Sequence, residues 1–336
     1  MFDLSAARRS GSHPAGSRSA SRSKGLALIA LALAVALALA LTGCGGAETP
    51  ADTTGGDTEV SSQTTYPYTM TDDAGREVTI DAEPQVIVSL APANTEILFA
   101  IGAGDRVQGV TSYDDYPAEV VDIAKVGDFA GPNLEAVAAL NPDLVLLTSG
   151  VQGEMIQQLE DLGATAVVID PTTVQAVMEN IVKVGAAVNE NEGAAEVVAD
   201  MQDRLDAVKV AVSAELAEPV TAFIEIGQNP LFSAGSDTLL GEAISIAGGE
   251  NVVTESGYVS YSAEQVIAAN PQVYLFTSMS GASADDIAGR PGHAGLTATS
   301  NGDVVEIEDN LISRPGPRII EGIEQLLEAF RAAAAR

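Results

Sequence analysis

A unit of 17 residues occurs twice in this chain, and the duplication restricts the folds that it can adopt. Residues 134–150 and 263–279 share eight of 17 positions at an offset of 129. Each copy reads as a short helix, a turn at Asn-Pro and a buried strand, because proline is disfavoured inside a helix. Any helix–turn–strand unit has this outline, but the matched Glu and Thr-Ser positions favour a true repeat. The repeat therefore predicts two similar lobes.

Short apolar runs alternate with helical stretches throughout the region that carries the repeat. Such runs occupy residues 86–90, 144–149, 221–226 and 273–278. Buried strands that alternate with helices are typical of an α/β fold with largely parallel sheets. We therefore predict an α/β protein in which each lobe has a central, mostly parallel sheet.

One predicted helix, over residues 192–216, is longer than the others. Its apolar residues recur at spacings of three or four, which places them on one face. Twenty-five helical residues extend over about 37 Å, enough to connect two lobes. We predict an N-terminal lobe at 66–190, an interlobe helix at 191–217 and a C-terminal lobe at 218–336. A ligand cleft is expected between the lobes, because such sites favour ligands.

The N-terminal residues read as an export signal. Residues 1–24 carry five bases and one acid, and residues 25–41 form an uninterrupted apolar run. A basic stretch before an apolar core is typical of a signal peptide, although this run also reaches the lower limit for a transmembrane anchor. The segment 41–44, Leu-Thr-Gly-Cys, resembles the lipobox of bacterial lipoproteins and contains the only cysteine.

These features predict where the protein works. We interpret residues 1–43 as a lipoprotein signal peptide and Cys44 as the lipidation site. A lone cysteine cannot form an internal disulfide, so lipid attachment gives it a use. Residues 44–65 are polar and rich in Gly and Thr, which predicts a flexible tether. The expected location is extracytoplasmic, on the cell membrane through the lipid of Cys44.

The chain is strongly acidic, with a formal charge of −31. Removal of residues 1–43 leaves 11 bases and 46 acids. A surface this negative repels a phosphate backbone, so we expect no nucleic-acid partner, and we expect a monomer. One histidine follows the leader, and no nucleophile elbow, phosphate-binding loop or dinucleotide fingerprint occurs. We therefore expect no catalytic residues, no metal site and no enzyme activity.

Two long segments carry a resemblance to a known family. The segments at 89–117 and 126–147 resemble the helical-backbone class of periplasmic substrate-binding proteins; they read SLAPANTEILFAIGAGDRVQGVTSYDDYP and VGDFAGPNLEAVAALNPDLVLL. This class serves ABC importers of cobalamin, ferric siderophores and haem. The resemblance extends over residues 67–335, and the elements ANTE and SYDDYP are closest to the cobalamin-binding branch. It implies no cofactor, a permease dimer with its ATPase as partner, and a metal chelate as ligand.

The resemblance also implies how the protein docks. In this class each lobe presents one exposed glutamate to an arginine pocket of the permease, and the matching residues are Glu135 and Glu264. A nearly twofold protein needs one acid per lobe to meet a twofold permease, and charge-assisted bonds to arginine fix the register. The alternative is that both are ordinary first-turn acids favoured by the helix dipole.

Three aromatic residues are candidates for contact with the chelate. Tyr113 follows a predicted strand, whereas Phe129 and Tyr258 lie in equivalent loops before the two docking helices. Flat rings suit the face of a corrin or porphyrin, although each ring could instead pack against its own loop. At the positions of Phe129 and Tyr258 the cobalamin binders use tryptophan, which this chain lacks.

Two polar residues complete the predicted ligand site. Asn94 opens the first helix, where it could meet a polar edge of the ligand or act only as an N-cap. Arg314 lies before the last helix and could bind a carboxylate, phosphate or amide group. Arg318, close by, is expected to pair with Glu321 or Asp309.

We rank three metal chelates as candidate ligands from the sequence. A corrinoid comes first, and a ferric siderophore second because so few bases are present to meet its negative charge. Haem comes third, with Tyr258, Tyr261 and His293 as candidate iron ligands; His293 is expected to be exposed in a loop rich in Gly and Pro. Outside transport, the alternatives are an orphan lipoprotein sensor or a hydrolase.

Overall fold

The computed structural model describes residues 63–336. The strands are β1 (Tyr68–Thr71), β2 (Glu77–Ile80), β3 (Ile87–Ser89), β4 (Val107–Val110), β5 (Ala124–Lys125), β6 (Leu144–Leu147), β7 (Thr165–Val168), β8 (Val220–Glu225), β9 (Gly227–Gln228), β10 (Leu231–Ala234), β11 (Gly249–Asn251), β12 (Tyr258–Ser260), β13 (Val273–Thr277) and β14 (Val304–Ile307). The helices are α1 (Pro92–Ala100), α2 (Leu134–Leu140), α3 (Ile156–Asp161), α4 (Val174–Ala187), α5 (Asn191–Glu215), α6 (Leu239–Ile246), α7 (Ala263–Ala269), α8 (Ala284–Gly289), α9 (Thr297–Asn301), α10 (Asp309–Ile312) and α11 (Ile319–Ala334).

Two parallel sheets form the centres of the fold. The N-terminal sheet has the strand order β5-β4-β3-β6-β7, and the C-terminal sheet has the order β11-β8-β13-β14. Every strand pair within these two sheets is parallel. The hairpin β1-β2 and a small sheet, β12-β10-β9, are antiparallel. The predicted α/β fold with two mostly parallel sheets is confirmed.

The two repeat units fold alike. Helices α2 and α7 have seven residues each, and each begins at a side-chain N-cap, Asn133 or Ser262. Each ends at an asparagine in the left-handed conformation, Asn141 with φ 49° and Asn270 with φ 46°. Asparagine tolerates this conformation better than most residues, and the proline that follows prevents further helix. Each unit then enters a buried strand, β6 or β13, as the sequence predicted.

Helix α5 is the predicted long helix, and it contacts both halves of the fold. It packs against α4 on the N-terminal side and α11 on the C-terminal side. Its apolar stripe faces inward, with Met201, Leu205 and Val208 buried. At Gly193 a Cβ atom would lie 2.0 Å from the carbonyl oxygen of Ile101, so only glycine permits this approach of α5 to the end of α1.

The leader predictions fall outside the described residues. These are the signal peptide at 1–43, the lipidation site Cys44 and the tether up to residue 62. Thr64, which the sequence assigned to the tether, donates its backbone N–H to the Asn189 side chain and accepts from the Asn191 side chain. Over residues 63–336, no helix is both long and apolar enough to cross a membrane.

Candidate functional site

A cavity of about 580 Å³ lies between the two lobes. The segments that follow β3, β6 and β7, together with Phe129 and Ala130 after β5, form the wall that the N-terminal lobe contributes. The carboxyl ends of these parallel strands therefore face the cavity. The C-terminal wall consists of residues 237–239, 257–258 and 313–315. Crevices at the carboxyl ends of parallel strands are the usual ligand sites of open α/β sheets. The volume is within the range of small-molecule sites, about 300–1,000 Å³.

Phe129 and Tyr258 line this cavity from opposite lobes. Their exposed fractions are 42% and 53%, so both rings remain available to a ligand. Phe129 lies in the predicted loop, but Tyr258 does not: it is the first residue of strand β12 and pairs with Ala234 of β10. Sequence reasoning missed this strand because its three residues give too short a pattern to recognise.

Tyr113 lies next to the cavity rather than in its lining. Its side chain is 59% exposed, and its carbonyl oxygen accepts a hydrogen bond from Arg314 Nη2 at 3.2 Å. The contact places its backbone beside a residue that does line the cavity. A ligand role for the Tyr113 ring stays a prediction.

Asn94 lines the cavity near the start of α1. The N-cap is Ala91, so the alternative role of Asn94 as an N-cap is wrong; it is the third helical residue. Ala91 supplies no side-chain acceptor to the first turn, so backbone N–H groups at the cavity wall are not capped by it. Asn94 is 2% exposed, and its Nδ2 atom has no partner within residues 63–336.

Arg314 lines the cavity, but its charge is already balanced. Its Nη1 atom lies 2.9 Å from Glu96 Oε1 and 2.6 Å from Asp115 Oδ1. Its side chain is 15% exposed. An anionic ligand would therefore have to compete with two carboxylates for this guanidinium group.

Arg318 binds the same buried glutamate. Its Nε and Nη2 atoms donate to Glu96 at 2.9 and 2.8 Å, and its guanidinium group lies 4.0 Å from the centre of the Tyr116 ring. These hydrogen bonds raise the pKa of Arg318 above its usual range. The expected pairing of Arg318 with Glu321 or Asp309 is wrong, because Glu96, which is distant in sequence, accepts its hydrogen bonds; Glu321 contributes only a longer-range electrostatic attraction.

Two further acids give the cavity a net negative charge. Asp170 and Asp237 line opposite walls, and Arg314 is the only base among the lining residues of the described region, 63–336. Hydrogen bonds from the Ser256 hydroxyl and the Gly257 amide hold the pKa of Asp237 below its usual range, so it is ionised at neutral pH. Sequence reasoning did not single out these two acids, because 46 acids follow the leader and no local pattern distinguishes this pair.

Glu135 and Glu264 occupy equivalent and accessible places. Each is in the first turn of its seven-residue helix, and both side chains are exposed. Among the residues that the structure describes, neither carboxylate is paired with a basic side chain. Both are therefore free to meet a basic partner.

The histidine after the leader is not part of the cavity. His293 is fully buried; its Nδ1 atom lies 3.1 Å from the Ile287 carbonyl oxygen, and its ring centre lies 5.8 Å from that of Tyr274. The expected exposure of His293 is therefore wrong. Burial lowers its pKa, and nearby Arg290 lowers it further. Tyr261 packs against Phe223, so only Tyr258 of the three candidate haem ligands lines the cavity.

No group of three or more His, Cys, Asp or Glu side chains within residues 63–336 is arranged to hold a metal ion. The residues around the cavity instead provide flat apolar faces, amide groups and carboxylates. This combination can hold a ligand by shape and polar contact.

Comparisons with known proteins agree with this architecture. A family model described as periplasmic binding protein matches residues 87–311. An uncharacterized ABC transporter substrate-binding lipoprotein of Bacillus subtilis, YvrC, is 35% identical over 79% of this chain and 86% of its own length. A cobalamin-binding protein of Halobacterium salinarum is 30% identical over 79% of this chain and 74% of its own length.

A solved structure shows the same fold. The periplasmic heme-binding protein RhuT of Roseiflexus sp. RS-1, in its apo form, has a TM-score of 0.68 and 27% identity, with coverage of 74% of this chain and 99% of that protein. The chain therefore belongs to the periplasmic binding protein family, and it is a substrate-binding protein of the ABC-importer class rather than an enzyme.

Proposed function

We propose that this protein captures a metal chelate outside the cytoplasm and delivers it to an ABC permease, and that the chelate is a corrinoid. The observation that carries the proposal is the cavity that Phe129 and Tyr258 flank from opposite lobes. Two aromatic faces on opposite walls suit a large flat ligand, because stacking adds to the burial of apolar surface. Phe129 and Tyr258 have smaller rings than the tryptophan residues that the cobalamin binders use at these positions, so they leave more room between the two walls.

The charge of the cavity supports a corrinoid over the alternatives. Ferric siderophores are often anionic and haem carries carboxylates, whereas a corrin rim carries neutral amides. With Asp170 and Asp237 in the lining and Arg314 paired with acids, an anion meets repulsion. Amide groups can instead accept from the start of α1 and donate to the carboxylates.

Replacement of Phe129 tests the ligand proposal. Titration calorimetry with cyanocobalamin should give a dissociation constant of about 1 μM or tighter. Phe129→Ala should weaken binding by about tenfold or more, because it removes one stacking face. Met279→Ala is a suitable control, since Met279 is 73% exposed and lies outside the cavity lining.

Titration with other chelates can contradict the corrinoid assignment. Binding of a ferric hydroxamate or haem, with no binding of cyanocobalamin or cobinamide, would show that the corrinoid assignment is wrong. The second candidate is therefore a siderophore- or haem-binding protein of the same importer class.

Tyr113→Ala in the same titration decides whether that ring contributes to binding.

We infer that Glu135 and Glu264 dock the protein on its permease. Both are exposed, unpaired with bases in the described part of the chain, and presented by equivalent helices. A twofold permease offers each surface twice, so one acid per lobe gives two matching contacts. An orphan sensor of the same fold would not need this pair.

We also propose a lipid anchor at Cys44, because a basic stretch, an apolar run and Leu-Thr-Gly-Cys occur in that order. The intact mass of membrane-extracted protein should show diacylglycerol on Cys44 and loss of residues 1–43. Cys44→Ser should block acylation and provides the control. A protein that still begins at Met1, or a water-soluble form with a free thiol, would contradict the proposal.

A further inference from the structure

The loop that carries Phe129, residues 127–133, is held at its two ends by the backbone. Ser112 N donates to the Gly127 carbonyl at 2.9 Å, and Asn133 N donates to the Val126 carbonyl at 2.7 Å. Gly127 has φ 115°, and a Cβ there would lie 2.7 Å from Asn133 N, so the closure of the loop requires glycine. Phe129 lies between these ends with a half-exposed ring, so its position depends on what holds the middle of the loop.

Gln152 holds the middle of the loop. Its Nε2 atom donates to the carbonyl oxygens of Phe129 at 2.7 Å and Leu90 at 2.8 Å. Its Oε1 atom accepts from Thr148 N at 2.9 Å and lies 3.3 Å from Thr148 Oγ1. The amide therefore uses both of its protons and both acceptor directions, and its side chain joins the Phe129 loop to the ends of β3 and β6.

The orientation of this amide is determined by its partners. Both groups at Nε2 are carbonyl oxygens, which only accept, and the backbone group at Oε1 is an N–H, which only donates. If the amide were flipped, Oε1 of Gln152 would face the carbonyl oxygens of Phe129 and Leu90, and no hydrogen bond could form with either. Gln152 is 1% exposed, and its bond to the Leu90 carbonyl is fully buried, so loss of the amide would leave that carbonyl oxygen unpaired.

We propose that Gln152 is a positioning residue for the ligand: it holds the Phe129 backbone so that the ring stays at the cavity wall. The ligand part of this inference rests on the proposed role of Phe129. The opposite aromatic residue does not depend on Gln152. Tyr258 is held by its pairing with Ala234, and the preceding Gly257 N–H donates to Asp237 at 2.8 Å. Loss of Gln152 should therefore affect one ring and leave the other unchanged.

Fluorescence can test this asymmetry without a ligand. The chain contains no tryptophan, so Phe129→Trp and Tyr258→Trp each give a protein with a single tryptophan, which can be excited selectively over the tyrosines. Addition of Gln152→Met to Phe129→Trp should raise acrylamide quenching by about twofold or more and lower the anisotropy, because the loop opens locally. Addition of the same change to Tyr258→Trp should leave both signals unchanged.

Two further variants separate positioning from general stability. Gln152→Glu keeps the length of the side chain but places a carboxylate oxygen against two carbonyl oxygens, so it should free the Phe129 reporter as well. Asn180→Leu removes another amide that is 1% exposed and lies outside the cavity lining, and it should affect neither reporter. Equal changes at both reporters, or no change at either, would overturn the proposal.

The ligand arm uses cyanocobalamin in a double-mutant cycle. Gln152→Met should weaken binding by about tenfold in the parent protein, as much as loss of the Phe129 ring itself, but by less than about twofold in Phe129→Ala. An equal loss in both backgrounds would show that Gln152 does not act through Phe129. Failure of the parent to bind cyanocobalamin would remove the corrinoid assignment, and the reporter experiment would still decide the role of Gln152.

Discussion

Replacement of Glu96 by alanine is expected to lower the free energy of unfolding by about 3–5 kcal/mol. The Glu96 side chain is 2% exposed and accepts three hydrogen bonds from Arg314 and Arg318. Without it, Arg314 keeps Asp115, but Arg318, 17% exposed, loses the only carboxylate within ion-pair distance of it among the described residues. A guanidinium group left without its partner in a mostly buried place is costly, because water does not fully replace the lost bonds.

Urea unfolding followed by circular dichroism measures this effect. The midpoint should fall while the dependence on urea stays constant, since the surface exposed on unfolding is nearly the same. Glu96→Gln should cost less, because the amide oxygen still accepts. Asp115→Ala is the matched control: its side chain is 56% exposed, and its loss should cost within about 1 kcal/mol. Similar losses for Glu96→Ala and Asp115→Ala would contradict the prediction.

Loss of Glu135 and Glu264 together should strongly reduce uptake without affecting capture of the chelate. Truncation of one partner of a desolvated charge pair at an interface costs about 2–5 kcal/mol. Glu135→Ala with Glu264→Ala should therefore reduce transport by about tenfold or more at limiting chelate. Neither residue lines the cavity, so calorimetry should give an unchanged dissociation constant.

Transport in cells or vesicles that contain the cognate permease measures the docking effect. Glu179→Ala with Asp285→Ala removes the same amount of charge from two other exposed helical sites and should leave uptake unchanged. Normal transport by the variant that lacks both Glu135 and Glu264 would contradict the docking proposal. Each single variant should show a partial loss, because one lobe would still be paired.

Local signals explain which parts of the fold could be predicted. The ends of α2 and α7 follow from Asn-Pro, and the inward face of α5 follows from apolar spacing, since both depend on residues near each other in sequence. Family resemblance then assigned Phe129 and Tyr258, and the scarcity of bases singled out Arg314. The structure brings these three residues to one cavity.

Partners that are distant in sequence explain the errors. Arg314 and Glu96 are 218 residues apart, and no local pattern indicates their pairing. The loop of His293, rich in Gly and Pro, suggested exposure, but packing beside Tyr274 buries it. No local pattern distinguishes Gln152 from other polar residues, because the two carbonyl groups that its amide contacts come from distant parts of the sequence.

The Glu96 contacts have a kinetic consequence, because they join the two lobes. Glu96 belongs to α1 of the N-terminal lobe, whereas Arg314 lies in the loop before α11 and Arg318 is the N-cap of α11 in the C-terminal lobe. Separation of the lobes would break these bonds and disturb the packing of α5, so a wide opening is too costly to occur in each binding event. We expect the chelate to enter and leave an almost fixed site, with an association rate of about 10⁵–10⁷ M⁻¹s⁻¹. Rapid delivery would then require the permease to separate the lobes. The residence time of the chelate on the free protein would therefore be a poor guide to the rate of transport.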